Sequence, residues 1–328
     1  MTQTNGKEKL WSIVLAGGEG ARVGSFVQRW LGRPRPKQFC TFVGTRSLLQ
    51  HTVDRAARLT PAAQSVLVIA QTHRQEAMTQ LDGRGVGTVL FQPANRDTGA
   101  GVFLPLTYVR ARDPLATVII YPSDHFVYPE EKFLATVREA VPIAERLHDR
   151  IVLLGVAPDR LELDYGWILP GEQLAVAGMQ PVLAVRKFLE KPTAQQADAA
   201  LADHALWNTM VIVSKVETLW NLGQQRVPEL IERFERLGHA IGTSEEARVL
   251  DAIYQTMPAR NFSSDFLQHV PGRMAVTELT HALWSDWGRP ERITEALRRI
   301  GRTPTFPLEA LGSPFAPIPI ENGVAARA

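Results

Sequence analysis

Short apolar runs, rich in Val, Ile and Leu, recur at 12–16, 65–70, 88–91, 117–121, 151–156 and 182–188. They are apolar at successive positions rather than alternate ones, so each strand they form must be covered on both faces. Between them apolar residues fall three and four apart, which predicts helices over 47–59, 73–81, 101–112, 131–147 and 194–202. Strand and helix in alternation specify an α/β fold: a Rossmann-like core whose mostly parallel (mixed) sheet is flanked by helices. Such sheets bind ligands beyond the carboxyl ends of their strands.

Past residue 214 the pattern changes. Segments 215–222, 227–237 and 244–257 have helical spacing and predict a C-terminal helical layer rather than more sheet. A Trp-rich turn, Trp284-Ser285-Asp286-Trp287-Gly288, precedes a helix over 290–300. The 328 residues are therefore divided into an α/β core, 1–214, a helical layer with the Trp-rich turn, 215–302, completing the same domain, and a tail, 303–328. The tail carries five prolines and is expected to be extended and loosely packed.

Two loops lie where ligands bind. The first, Ala16-Gly17-Gly18-Glu19-Gly20-Ala21-Arg22, follows the first strand; the second is Pro122-Ser123-Asp124-His125. Glycines let a backbone approach phosphate oxygens, and Arg22 adds a fixed cation. A dinucleotide loop needs a third glycine, where Val23 stands, and an acid some 20 residues on; no acid occurs between Glu19 and Asp54. Gly32, Pro34 and Pro36 also predict that no good helix follows the loop. The Gly-Lys-Ser/Thr ending of a Walker loop is missing.

The net charge is only +2 and no long basic block occurs, which argues against nucleic acid as a partner. The cluster Arg29, Arg33, Arg35 and Lys37 reads either as a solvated loop or as an attractor for a polyphosphate. A single cysteine, Cys40, flanked by Phe39 and Phe42, reads as buried filler and fits a reducing compartment. No apolar signal core opens the chain and no run approaches the ~18–20 apolar residues of a membrane span. The expected location is the cytoplasm, without membrane contact.

Gly17 to Arg22, followed by Pro36-Lys37-Gln38-Phe39, resembles the signature of the sugar-1-phosphate nucleotidyltransferases, and the Pro-Lys-Gln form resembles the mannose-1-phosphate guanylyltransferases among them. Further similar segments follow in order: Gln92-Pro93-Ala94-Asn95-Arg96-Asp97-Thr98, Pro122-Ser123-Asp124-His125, Tyr165-Gly166-Trp167-Ile168, Phe188-Leu189-Glu190-Lys191-Pro192, Trp207-Asn208-Thr209-Met210 and the Trp-rich turn. The resemblance covers residues from about 11 to 300.

It implies attack of a sugar 1-phosphate on the α-phosphorus of a nucleoside triphosphate, with GTP and mannose-1-phosphate as substrates and GDP-mannose as product. Another hexose phosphate or nucleotide, or a non-catalytic nucleotide-sugar-binding role, stands as the alternative. The nucleotide would meet Ala16, Gly17, Gly18, Glu19, Gly20, Arg22, Lys37 and Arg96; for Arg96, pairing near Asp97 stays open. Arg22, Lys37, Asp124 and Asp286 would be catalytic, with Asp124 and Asp286 holding Mg²⁺. Tyr165, Gly166, Glu190, Lys191 and Asn208 would bind the sugar phosphate. His125 is expected to support the site or pack, and Trp207, Trp284 and Trp287 to form core and wall. A homodimer is compatible with the resemblance.

Several positions depart from the family pattern. Ala21 replaces the usual threonine, Val23-Gly24-Ser25 replaces a Leu-Trp-Pro-type sequence, and the stretch from Arg22 to Lys37 is longer. Met210 replaces a glycine, where a side chain would narrow or reshape the sugar pocket. No cupin-like isomerase segment and no β-helical repeat is evident.

Overall fold

The computed structural model describes residues 9–311. A nine-stranded sheet carries the molecule. Its strands are β1 (Leu10–Ala16), β2 (Ser65–Ala70), β3 (Thr88–Gln92), β4 (Thr117–Pro122), β6 (Ile151–Val156), β7 (Gly166–Ala177), β8 (Gln180–Glu190), β9 (Leu206–Lys215) and β10 (Met274–Glu278). They lie in the order β3-β2-β1-β4-β9-β6-β10-β8-β7. The pairings make β8 and β9 run against all the others, so the sheet is mixed but mostly parallel, as the alternating pattern requires.

Helices cover both faces. On one lie α2 (Leu48–Ala57), α3 (Arg74–Leu81), α5 (Glu130–Arg146) and α6 (Ala194–Ala202), over a core that includes Leu67, Ile119, Phe133 and Trp167. On the other, α4 (Asp97–Arg112) lies against β1 and β2, and α7 (Val216–Arg226) and α8 (Pro228–Ala240) pack on α4. The next helix, α9 (Glu246–Thr256), packs on α8. Sandwiched this way, α4 is buried nearly all round. Cys40 is fully buried and its thiol is pushed up to about 12 by burial, in keeping with filler.

Three expectations fail. The segment past 214 is not helical throughout, because β10 enters the sheet between β6 and β8; five residues are too few to show a period. A helix, α1 (Gly24–Leu31), does follow the glycine loop. Gly32, at φ +69, is its C-cap, and the prolines lie beyond its end, so they stop the helix rather than prevent it. Residues 303–311 are not loosely packed. Phe306 stands edge-on to Phe26, with ring centres 5.0 Å apart, and Arg29 Nε donates to the Ala310 carbonyl at 2.9 Å. The rest of the tail lies outside the described residues.

One small ladder positions the site. Strand β5 (Phe126–Tyr128) pairs antiparallel with β11 (Leu283–Ser285), with Phe126 opposite Ser285. Asp124 lies just before β5 and Asp286 just after β11, so three residue pairs bring together two loops far apart in the chain. A helix, α10 (Pro290–Arg299), follows the Trp-rich turn. Among the described residues no helix is long and apolar enough to cross a membrane.

Candidate active site

A cleft of about 700 Å³ opens at the carboxyl ends of β1, β3 and β4, lined by Gly17, Gly18, Gln38, Gln92, Asp124 and Met210 among others. The loop after β1 is held in place by Gln38. This buried side chain donates through Nε2 to the carbonyls of Ala16 (3.1 Å) and Gly18 (2.7 Å). Gly20 has φ +62, and a Cβ there would lie 2.8 Å from the Lys37 backbone nitrogen, so the loop and the Pro36-Lys37-Gln38 segment fit only through a glycine. Glu19 is exposed, 3.8 Å from the His73 ring.

Lys37 is 3% exposed, the deepest cation of the site. Its Nζ lies 2.9 Å from Asp124 Oδ2 and donates to the Asp286 backbone carbonyl. Asp124, one-third exposed, keeps its other oxygen toward His125, 3.6 Å away. Burial works against the Asp124 charge, but the Lys37 charge, the His125 ring and the hydrogen bond from Lys37 together lower its pKa. His125 has a lowered pKa from burial and stands edge-on to Trp284.

Asp286 is a buried hub. Its Oδ1 accepts from the Tyr165 hydroxyl (2.7 Å), the Gly288 amide (2.9 Å) and Arg292 (2.8 Å), and its Oδ2 accepts from Arg22 (2.9 Å). Burial alone would raise its pKa; Lys37, Arg292 and the Tyr165 hydroxyl together hold it well below the carboxylate range. Arg22 is half exposed and also reaches Asp164 at 3.7 Å. The position expected to be the second metal carboxylate thus has both oxygens committed to donors.

Arg292, not singled out in the sequence, completes the hub. It is 6% exposed, pairs with Glu162 and Asp286, and lies over the Tyr165 ring at 4.7 Å. Its signal was present: 292, 293, 296 and 297 are the buried positions of α10, so an arginine occupies an apolar stripe.

The sugar-phosphate candidates also converge. Gly166 stands opposite Glu190 in the β7–β8 ladder, and a Cβ on it would come 3.0 Å from Glu190 Oε2 and 3.3 Å from Asn208 Cβ. Asn208 Oδ1 accepts from the Met210 amide at 3.1 Å, and its Nδ2 has two donors for a ligand. Lys191 is exposed and its amide donates to the Tyr165 carbonyl at 3.2 Å.

Arg96 does not turn to the nucleotide cleft. It donates to the carbonyls of Tyr254 (2.8 Å) and Gln255 (3.2 Å) at the end of α9, where unpaired helix carbonyls attract a cation. The basic cluster divides: Arg33 and Arg35 pair with Glu76, Arg29 binds the 310–311 carbonyls, and only Lys37 enters the site. Trp207, Trp284 and Trp287 are buried wall; Trp287 stacks on Phe126 at 4.2 Å.

Among the described residues no group of three or more His, Cys, Asp or Glu side chains is placed to hold a metal. Asp124 lines the cleft and keeps one oxygen clear of Lys37, so it is the carboxylate that would hold one. That donor set fits an ion that takes one carboxylate and completes its shell with phosphate oxygens and water, the habit of Mg²⁺.

The family model for nucleotidyl transferases matches residues 11–302. The mannose-1-phosphate guanylyltransferase of Escherichia coli K12 is 27% identical over 293 residues, 86% of this chain and 58% of that one. The xanthan biosynthesis protein XanB of Xanthomonas campestris (strain ATCC 33913) is 34% identical over 205 residues, 60% of this chain and 40% of its own. The chain thus spans less than two thirds of the length of these relatives. In the crystal structure of a Thermus thermophilus protein described as mannose-1-phosphate geranyltransferase, the match covers 87% of this chain and 79% of that one, with TM-score 0.72 and 26% identity. With its glycine loop, buried lysine and paired aspartate loops set at the head of a mostly parallel sheet, and with the family model spanning most of its length, this chain belongs to the nucleotidyl transferase family.

Proposed function

We propose that the protein transfers a guanylyl group from GTP to mannose-1-phosphate. A phosphate oxygen of the sugar 1-phosphate forms a bond to the α-phosphorus, the bond from that phosphorus to the bridging oxygen breaks, and pyrophosphate leaves with the electron pair. GDP-mannose is the other product. The attacking phosphate, with a second pKa of about 6, is largely ionised at neutral pH and needs no general base. The task is to hold two anions together and to stabilise charge as it shifts.

The observation that carries this reading is Lys37: a buried ammonium fixed between the Asp124 carboxylate and the Asp286 carbonyl, beside an open glycine loop. In this reading the loop from Gly17 to Gly20 cradles the triphosphate. Lys37 and Arg22 neutralise it, with Arg22 exchanging Asp286 for phosphate oxygens. Glu190, Lys191 and the Asn208 amide receive the sugar phosphate. Asp124 would hold a Mg²⁺, which supplies charge neutralisation when bound; Asp286 instead anchors the cations.

The test is a panel of nucleoside triphosphates against sugar 1-phosphates with Mg²⁺, read by pyrophosphate release. Release with GTP and mannose-1-phosphate above all other pairs is expected. Release with another pair favours the same chemistry on different substrates, a reading supported by Met210 and Ala21 at family-atypical positions. Silence across the panel leaves the non-catalytic binding role.

A further inference from the structure

Met210 has φ +58, a left-handed conformation that is strained for any residue with a Cβ. It sits inside β9, not in a turn. In the β6–β9 ladder Leu153 faces Ile212 and Gly155 faces Asn208, so four steps on β9 answer two on β6. This bulge falls where β4 also stops pairing with β9, at Ile120–Ile212, just before the loop that carries Asp124. The bulge is built from side chains: Asn208 Oδ1 accepts the Met210 amide at 3.1 Å, and Thr209 Oγ1 accepts the Val211 amide at 3.2 Å while donating to the Leu154 carbonyl at 2.7 Å. Bulges beside active sites re-aim a side chain. Here the side chain joins Asp124 and His125 in lining the cleft, and its sulfur lies 3.5 Å from Ser263 Oγ. The same serine neighbours the Glu190 carboxyl. Met210 therefore lines the cleft on one side and, through Ser263, adjoins the Glu190 neighbourhood on the other. A glycine would fit this backbone without strain and leave that space open.

We propose that Met210 is a specificity-determining residue: its thioether side chain narrows the space between the cleft and the Glu190 neighbourhood and admits unsubstituted hexose 1-phosphates while excluding those with a bulky substituent such as an N-acetyl group. This rests on the sugar-phosphate reading above. Strain retained at one residue is accounted for by what its side chain excludes.

The experiment compares wild type, Met210→Ala and Met210→Gly with mannose-1-phosphate and N-acetylglucosamine 1-phosphate, both in kcat/KM and in binding by titration calorimetry. Wild type should prefer the unsubstituted sugar. Met210→Gly should narrow that preference by roughly tenfold or more, the scale of a few methylenes in a pocket, and Met210→Ala by less. Met210→Gly should also melt no lower than Met210→Ala, because glycine removes the strain that alanine keeps. Preference ratios unchanged in both variants overturn the proposal, and Met210→Ala supplies the comparison if Met210→Gly does not fold. Calorimetry reads Met210 without turnover: proteins that bind the two sugars with the expected ratios but release no pyrophosphate overturn the transfer reading alone.

Discussion

At the scale of single residues, the site separates charges that act from charges that hold. Lys37 joins both aspartate loops and reaches Asp124, which lines the cleft, whereas Arg292 is locked to Asp286 and Glu162. Their removal should differ in kind. Lys37→Met removes a preorganised cation and should lower turnover by roughly 10²–10³-fold, measured with saturating substrates. Arg292→Ala leaves two carboxylates facing each other in a buried space and should cost about 3–5 kcal/mol of stability, read as denaturant midpoint. Lys37, Asp124 and Asp286 were recognisable as motif letters. Arg292 and Gln38 were harder to assign, because their partners lie in segments remote in the chain.

At the scale of elements, β5 pairing with β11 is the decisive piece. Three residue pairs are too short to leave a period, and the ladder joins segments remote in the chain, so nothing local announces it. The helix after the glycine loop was hidden for the opposite reason: strong local stop signals stand close behind it and read as forbidding it. That helix carries Phe26, which packs with Phe42, Phe306 and Trp30. Residues 303–311 close this small core, so Phe306→Ala should cost about 3 kcal/mol and lower Tm, by calorimetry. A tail that merely lay on the surface would give no such loss. Segments with several consecutive apolar residues, such as β2 and β6, were legible because their burial on both faces is written into every position.

At the scale of the molecule, the cleft lies where the parallel strands end, between the loops after β1 and β4 and the start of α4. Its loops are joined to one another through Lys37, so a ligand held there stabilises several segments at once. GTP at about 100 times its Kd should add about 2.7 kcal/mol to stability and raise Tm, while NAD at the same concentration should not. Equal shifts with both would contradict the reading of the glycine loop as a triphosphate cradle.

The sequence by itself determined the alternation of strand and helix, the carboxyl-end placement of the two loops, and the residue types gathered there, because apolar period and glycine spacing are local properties. Only the tertiary structure decided what those residues do for one another. It set Asp286 as the common acceptor of Arg22, Arg292 and Tyr165, and turned Arg96 toward the carbonyls at the end of α9. It also showed that Met210 is aimed into the cleft by a bulge. A carboxylate's role depends on which charges reach it and on how much water remains, and both are settled by packing between distant segments.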